Sequence, residues 1–162
     1  MLEVDQYNYK QHMKRSNPLF YGKILLFGEY GIIKDSMGLS IPHGYYKGAF
    51  QFEDTFNSVQ ASSNKHLFAY LEYLKKEDAP CHFNLNQFES DLNHGLYFDS
   101  SIPQGFGVGS SGALVAAIYD RYCRNKISKN PENSTDIKKL KSIFSWMENY
   151  FHGKSSGIDP TI

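Results

Sequence analysis

The chain has 162 residues, and its 17 Lys and Arg are balanced by 17 Asp and Glu, so the formal net charge is zero. That balance excludes a nucleic-acid binder of the basic-patch kind, whose affinity comes from a positive excess, and equally excludes an acidic disordered tail. Aromatic residues make up 15% of the chain, which is ample area for a core, and the length suits one ordinary domain rather than two.

Residues 1–17 are polar and read as a flexible lead-in without the apolar stretch of a signal peptide. The apolar run Ile24-Leu25-Leu26-Phe27, bounded by Gly22 and Gly28, predicts a buried strand. Tyr45 to Phe52 alternates loosely and predicts a second. Ser62-Ser63-Asn64 is a helix start signal; Leu67, Phe68, Leu71 and Leu74 follow at helical spacing up to Lys75-Lys76. Cys81 to Leu85 and Gly95 to Ser101 predict two more strands. A glycine-rich stretch then opens a helix with Leu114, Val115, Ile118, Tyr119 and Tyr122 on one face. After a polar loop over 125–134, Ser134 or Thr135 caps a last helix, with Ile137, Leu140, Phe144, Met147 and Phe151 as its apolar face and Gly153 as its stop. Clustered strands among helices predict an α+β fold rather than an alternating βαβ one.

Cys81 and Cys123 make neither a disulfide framework nor a zinc pattern and read as two idle thiols in a reducing cytoplasm. Asn133-Ser134-Thr135 fits a glycosylation acceptor by chance, with no secretion signal to give it meaning. No run approaches the roughly 18 apolar residues of a membrane span. The expectation is a soluble, cytoplasmic protein with neither a membrane nor a nucleic-acid partner.

The chemistry is concentrated in Pro103-Gln104-Gly105-Phe106-Gly107-Val108-Gly109-Ser110-Ser111-Gly112. Alternate glycines let a backbone approach an anion closely, and the free N–H groups of the following helix face it. Ser110 and Ser111 add hydroxyls for a phosphate oxygen or a magnesium ion. The bland alternative is a tight structural turn. Gly107, Gly109 and Gly112 also fit a dinucleotide fingerprint, but the acidic residue expected about 20 positions on, at the end of a strand, is replaced by a polar loop. Gly153-Lys154-Ser155 ends like a Walker loop, yet Glu148 occupies the position of its first glycine. Gly153 to Gly157 spells a nucleophile elbow, but it follows a helix and lacks its downstream partners.

Three segments taken together carry a resemblance. Gly22-Lys23-Ile24-Leu25-Leu26-Phe27-Gly28-Glu29-Tyr30-Gly31-Ile32 looks like the first motif of the GHMP kinases. Pro103 to Ala113 resembles their ATP-binding motif, and His152-Gly153-Lys154-Ser155-Ser156-Gly157-Ile158-Asp159-Pro160 is similar to the catalytic-aspartate segment of their mevalonate kinase branch. Three positions depart from the pattern: Tyr21 stands for a usual proline, Tyr30 for a common histidine and Gly112 for alanine.

The resemblance covers residues 18–162 and implies an ATP-binding N-terminal domain like domain 2 of ribosomal protein S5, cut after its catalytic-aspartate segment, with the C-terminal domain absent. It implies ATP-dependent phosphorylation of a hydroxyl on a small molecule, most like mevalonate. The alternatives are a sugar, phosphomevalonate or homoserine as acceptor, or a nucleotide-binding module inactive in this form. By motif match, Asp159 is the catalytic base and Lys23 stabilises charge beside it. Pro103, Gly105, Gly107, Val108, Gly109, Ser110, Ser111, Gly112 and Ala113 hold ATP. Ser111 and Glu148 ligate Mg²⁺, and Glu29, Tyr30 and His152 lie toward the substrate. A cut chain leaves apolar faces uncovered, so a marginally stable form or a homodimer is expected.

Read without the resemblance, Glu148 is a solvated acid at the edge of an apolar helix face, and Asp159 before Pro160 is a turn residue. Glu29 is either a surface acid or a ligand contact. His152 is either a cation at a helix C-terminus or a substrate-side group. Lys23 is less ordinary, because a lysine inside an apolar run needs a partner and suggests an anion nearby.

Overall fold

The computed structural model describes residues 17–27, 39–76, 79–128, 133–153, 155, 157 and 160. In chain order these form strands β1 (Phe20–Phe27) and β2 (Leu39–Phe52), helices α1 (Ser58–Leu74) and α2 (Leu85–Asn93), strand β3 (Leu96–Ser100), and helices α3 (Ser110–Tyr122) and α4 (Ser134–His152). The three strands make one antiparallel sheet in the order β1-β2-β3. The mixture of helices with a small antiparallel sheet agrees with the expected α+β class.

β2 begins six residues earlier than its alternation predicts, and the early part contains Pro42. Pro42 sits opposite Lys23 in a half of β2 that pairs with β1 alone, whereas β3 pairs only with Gly48 to Phe52. A missing N–H is tolerated where one side of the strand has no ladder.

The start of α1 also differs from expectation. Asn57, not Ser62-Ser63-Asn64, caps the helix: its Oδ1 accepts the N–H groups of Val59 and Gln60 at 2.9 Å each, and Gln60 Oε1 accepts the Asn57 N–H. Ser63 and Asn64 lie inside the helix and bind across it. Ser63 Oγ exchanges hydrogen bonds with the backbone of Phe98, and Asn64 Nδ2 donates to Leu92 O and Leu96 O. They therefore dock α1 on β3.

The strand expected over Cys81 to Leu85 is absent. Phe83 makes only an isolated bridge to Cys123, and Leu85 opens α2, whose Leu85, Phe88 and Leu92 recur at helical spacing. Asn133 caps α4 in place of Ser134 or Thr135, accepting the Asp136 N–H at 2.7 Å. Ile137 and Phe151, expected on the buried face of α4, are 44% and 37% exposed, and Ile143 packs inward instead.

The core lies where the helices meet the sheet. Leu67, Tyr70, Leu71 and Leu74 of α1 pack with Phe88 and Leu92 of α2, Leu96 of β3, Val115, Ile118 and Tyr122 of α3, and Ile143, Phe144 and Met147 of α4. Each such side chain contributes about 1.5–3 kcal/mol by leaving water. β1 and the first half of β2 are different: Tyr21, Leu26, Phe27, Leu39, Ile41 and Tyr45 are exposed. Among the described residues, no helix is long and apolar enough to cross a membrane.

Candidate functional site

The glycine-rich loop leaves β3 and enters α3 with Gly105, Gly107 and Gly109 all in the left-handed region, at φ of 80°, 68° and 80°. Gly109 is the N-cap of α3 and offers no side-chain cap. The first N–H groups of the helix are thus left to an external acceptor, and the helix dipole favours an anion there.

Close approach explains why Gly109 has to be glycine. A Cβ there would stand 2.7 Å from Lys23 Cγ. A Cβ on Gly22 would stand 2.9 Å from Val108 O. The loop therefore lies directly on β1, and the Lys23 N–H donates to Val108 O at 2.9 Å. Lys23 is only 7% exposed, with its alkyl stem along Gly109. The sequence expectation of a lysine buried within an apolar run is met, and the stem runs beside the start of α3.

α4 meets this region from the other side. Ser111 Oγ lies 3.0 Å from His152 Nε2. Glu148, one turn earlier on α4, is 1% exposed. This corrects the reading of Glu148 as a solvated acid on the helix edge. The correction has a physical cause: the chain after α4 doubles back over the helix. Ser155 Oγ donates to Glu148 Oε2, Ser155 N–H donates to Asn149 Oδ1 at 3.1 Å, and Ser145 Oγ donates to Ser155 O at 2.6 Å. Gly157 completes the crossing at φ 69°, where a Cβ would stand 2.0 Å from Lys141 O.

A cavity of about 490 Å³ lies between β1, α3 and α4. Gly22 and Lys23, Gly112 and Ala113, Phe144 and Pro160 line it. Ser111 and Glu148 both offer hard oxygen, the donor type that suits Mg²⁺. No group of three or more His, Cys, Asp or Glu that could hold a metal exists among the described residues. Two oxygen donors of this kind are the sort that a magnesium ion completed by phosphate and water accepts.

The structure thus brings together the loop from Pro103 to Ala113, Lys23, Ser111 and His152, and buries Glu148 in the same helix end. Asp159, Glu29 and Tyr30 lie outside the described residues. Sequence reasoning missed Ser145, Asn149 and Ser155 as the residues that pin the segment after α4. Their only signal was Ser155 inside the His152 to Pro160 motif.

A family model described as the GHMP kinases N terminal domain matches residues 66–162. The match begins within α1 and takes in the glycine-rich loop, α3, α4 and the segment that follows. No curated protein and no solved structure matches the chain.

Proposed function

This chain belongs to the GHMP kinase N-terminal domain family, a family of ATP-dependent phosphotransferases, and on that premise we propose that it phosphorylates a hydroxyl group of a small molecule, most favourably mevalonate to phosphomevalonate. The observation that carries the reading is the loop from Gly105 to Gly109: three left-handed glycines open a helix against a nearly buried lysine. The choice of mevalonate is supported by the likeness of His152 to Pro160 to the aspartate segment of that branch. In this reading, residues 18–162 are an ATP-binding domain like domain 2 of ribosomal protein S5, preceded by a lead-in over 1–17. The protein acts in the cytoplasm, without nucleic-acid or membrane partners.

Phosphoryl transfer needs mainly position and charge neutralisation. The N–H groups at the start of α3 hold the phosphates of ATP, and the loop from Pro103 to Ala113 closes around them. Ser111 and Glu148 would hold Mg²⁺, which would offset the phosphate charge. Lys23 stabilises the transferred group from the β1 side. Asp159 accepts the proton of the substrate hydroxyl, with Glu29, Tyr30 and His152 toward the acceptor.

The test is ADP production by the protein with a panel of mevalonate, phosphomevalonate, galactose and homoserine. Turnover with mevalonate above the others supports the reading. Turnover only with another acceptor overturns the substrate, and Mg·ATP binding without any turnover leaves a nucleotide-binding module. Asp159→Asn is expected to abolish transfer while Mg·ATP binding survives; near-normal turnover would remove Asp159 as the base.

A further inference from the structure

Glu148 and His152 both sit in the last two turns of α4. Helix ends are where backbone order is weakest, because the final turn lacks partners for its carbonyls. A contact from outside the helix has to keep this end still if its side chains are to meet a ligand at a fixed place. α1, which takes no part in the site described above, supplies that contact. Tyr70 Oη donates to Met147 O at 2.8 Å, and Tyr73 Oη donates to Trp146 O at 2.6 Å. A carbonyl oxygen has two lone pairs, so each can take a phenol and still accept the N–H four residues on.

The rings tighten the same grip. Tyr73 stacks on Trp146 with ring centroids 4.9 Å apart and lies 5.3 Å from Tyr150. Tyr70 meets Tyr150 edge-on at 4.9 Å and stacks on Phe151 at 5.4 Å, and Phe151 lies 6.2 Å from His152. The two phenols therefore hold Trp146, Met147, Tyr150 and Phe151, on either side of Glu148 in the chain and next to His152. The ordinary account is that a buried phenol needs a partner. That covers Tyr70, which is 1% exposed. It does not cover Tyr73, which is only partly buried, so that burial alone does not demand its bond. Both phenols nonetheless choose successive carbonyls of one turn, from 73 and 77 positions away in the chain.

We propose that Tyr70 and Tyr73 are positioning residues, which fix the end of α4 so that Glu148 and His152 are presented to Ser111 and to the Mg²⁺ of the kinase reading, on which this inference rests. They act through Glu148 and His152, not on the nucleotide. His152 Nε2 already lies 3.0 Å from Ser111 Oγ, so a small shift of the helix end changes that contact directly. Removing either phenol oxygen leaves its ring packed and frees one carbonyl, and the end of α4 moves relative to α3. The glycine-rich loop belongs to a different element and keeps its form. The change therefore falls on the metal-dependent part of ATP binding, where a misplacement of about 1 Å is already costly.

The experiment measures ATP affinity by titration calorimetry with and without Mg²⁺, together with Tm, for the whole chain and for Tyr70→Phe and Tyr73→Phe. Each variant is expected to bind Mg·ATP about tenfold more weakly, the lower end of the effect of losing a group that orients a metal ligand. Each is expected to bind metal-free ATP as the wild-type chain does. In a Glu148→Gln background, Tyr70→Phe is expected to cost less than it does alone, because one of the groups it acts through is already lost. Wild-type Mg·ATP affinity in both variants at a lowered Tm would show bonds of structural value only and overturn the proposal. So would an equal loss with and without Mg²⁺, or full additivity with Glu148→Gln. A wild-type chain that binds no ATP, or binds it alike with and without Mg²⁺, would instead overturn the reading on which the inference rests. Tyr73→Phe, at a partly buried position, decides even if Tyr70→Phe folds poorly.

Discussion

The Ser111 hydroxyl stands 3.0 Å from His152 Nε2 and so joins the first turn of α3 to the last turn of α4 across 41 positions of sequence. When the hydroxyl donates to the imidazole, both oxygen lone pairs stay available to a cation. Groups that orient a ligand in this way commonly matter almost as much as the ligand itself.

Ser111→Ala is therefore expected to weaken Mg·ATP binding by about 2 kcal/mol, the scale of a hydrogen bond or ligand contact to a charged group, or roughly 30-fold. His152→Phe is expected to weaken it about tenfold, with His152→Gln recovering part of the loss through its amide oxygen. Titration calorimetry with Mg·ATP measures all three. Unchanged affinity in Ser111→Ala would remove that hydroxyl from the cradle.

The buried Glu148 separates a structural from a ligand role. Ser155→Ala removes the donor to Glu148 Oε2 and is expected to cost about 1–3 kcal/mol of stability, a fall in Tm of roughly 3–10 °C for a chain of this size. Glu148→Gln keeps an acceptor for Ser155, so it should unfold near the wild-type temperature while losing Mg·ATP affinity. Thermal unfolding and calorimetry on both variants read the two effects apart. An unshifted Tm in Ser155→Ala would show that Ser155 does not hold the carboxylate.

Alkaline pH should destabilise the fold through two phenols. Tyr70 and Tyr122 are each 1% exposed. Burial holds both well above the ordinary tyrosine range, reinforced by Tyr73 and Glu148 at Tyr70 and by Asp91 at Tyr122. A group raised in the folded state contributes its full stability below its unfolded value and loses it as pH rises beyond that value. The contribution of these two phenols is therefore expected to be flat to about pH 10, then to fall by up to about 1.4 kcal/mol per pH unit for each. Urea unfolding at several alkaline pH values tests this, and a flat profile beyond pH 10 would contradict it.

Asp91 anchors α2 to α3. It is fully buried, and its Oδ2 accepts from Arg121 at 2.7 and 2.9 Å and from the Tyr122 hydroxyl at 2.8 Å, while Oδ1 accepts from Gln87 at 2.6 Å. Arg121→Met strands the carboxylate and is expected to cost about 3–5 kcal/mol. Arg121→Lys keeps the charge but not the paired donors, so it should recover less than half of that. Urea midpoints give both values; a loss under about 1 kcal/mol in Arg121→Met would show the pair to be unimportant.

What the sequence reveals divides along a physical line. α3 and α4 are legible because their apolar residues repeat at helical spacing, and the glycine-rich loop is legible because alternate glycines before a helix have few other uses. α2 is not legible, since the polar positions around Phe88 and Leu92 hide a short helix whose partners are distant. The burial of Glu148 is not legible either. A helical wheel shows one helix, and the cover on Glu148 is a later segment held by Ser145, Asn149 and Gly157. The capping box at Asn57 was open to a closer reading, because Gln60 stands three residues after it.

The bond from the Lys23 N–H to Val108 O carries a consequence for the order of assembly. During synthesis β1 is made early, but its outer edge meets its partner only after α1, α2 and β3 have followed. Until then the β1–β2 hairpin presents an open strand edge with exposed Leu26, Phe27 and Ile41, the kind of edge that recruits other chains. His152 comes later still, so Ser111 gains its partner last. The nascent protein thus passes through a long interval in which β1 is complete and the loop that meets its edge at Lys23 does not yet exist, while Leu26, Phe27 and Ile41 stay exposed even in the finished fold.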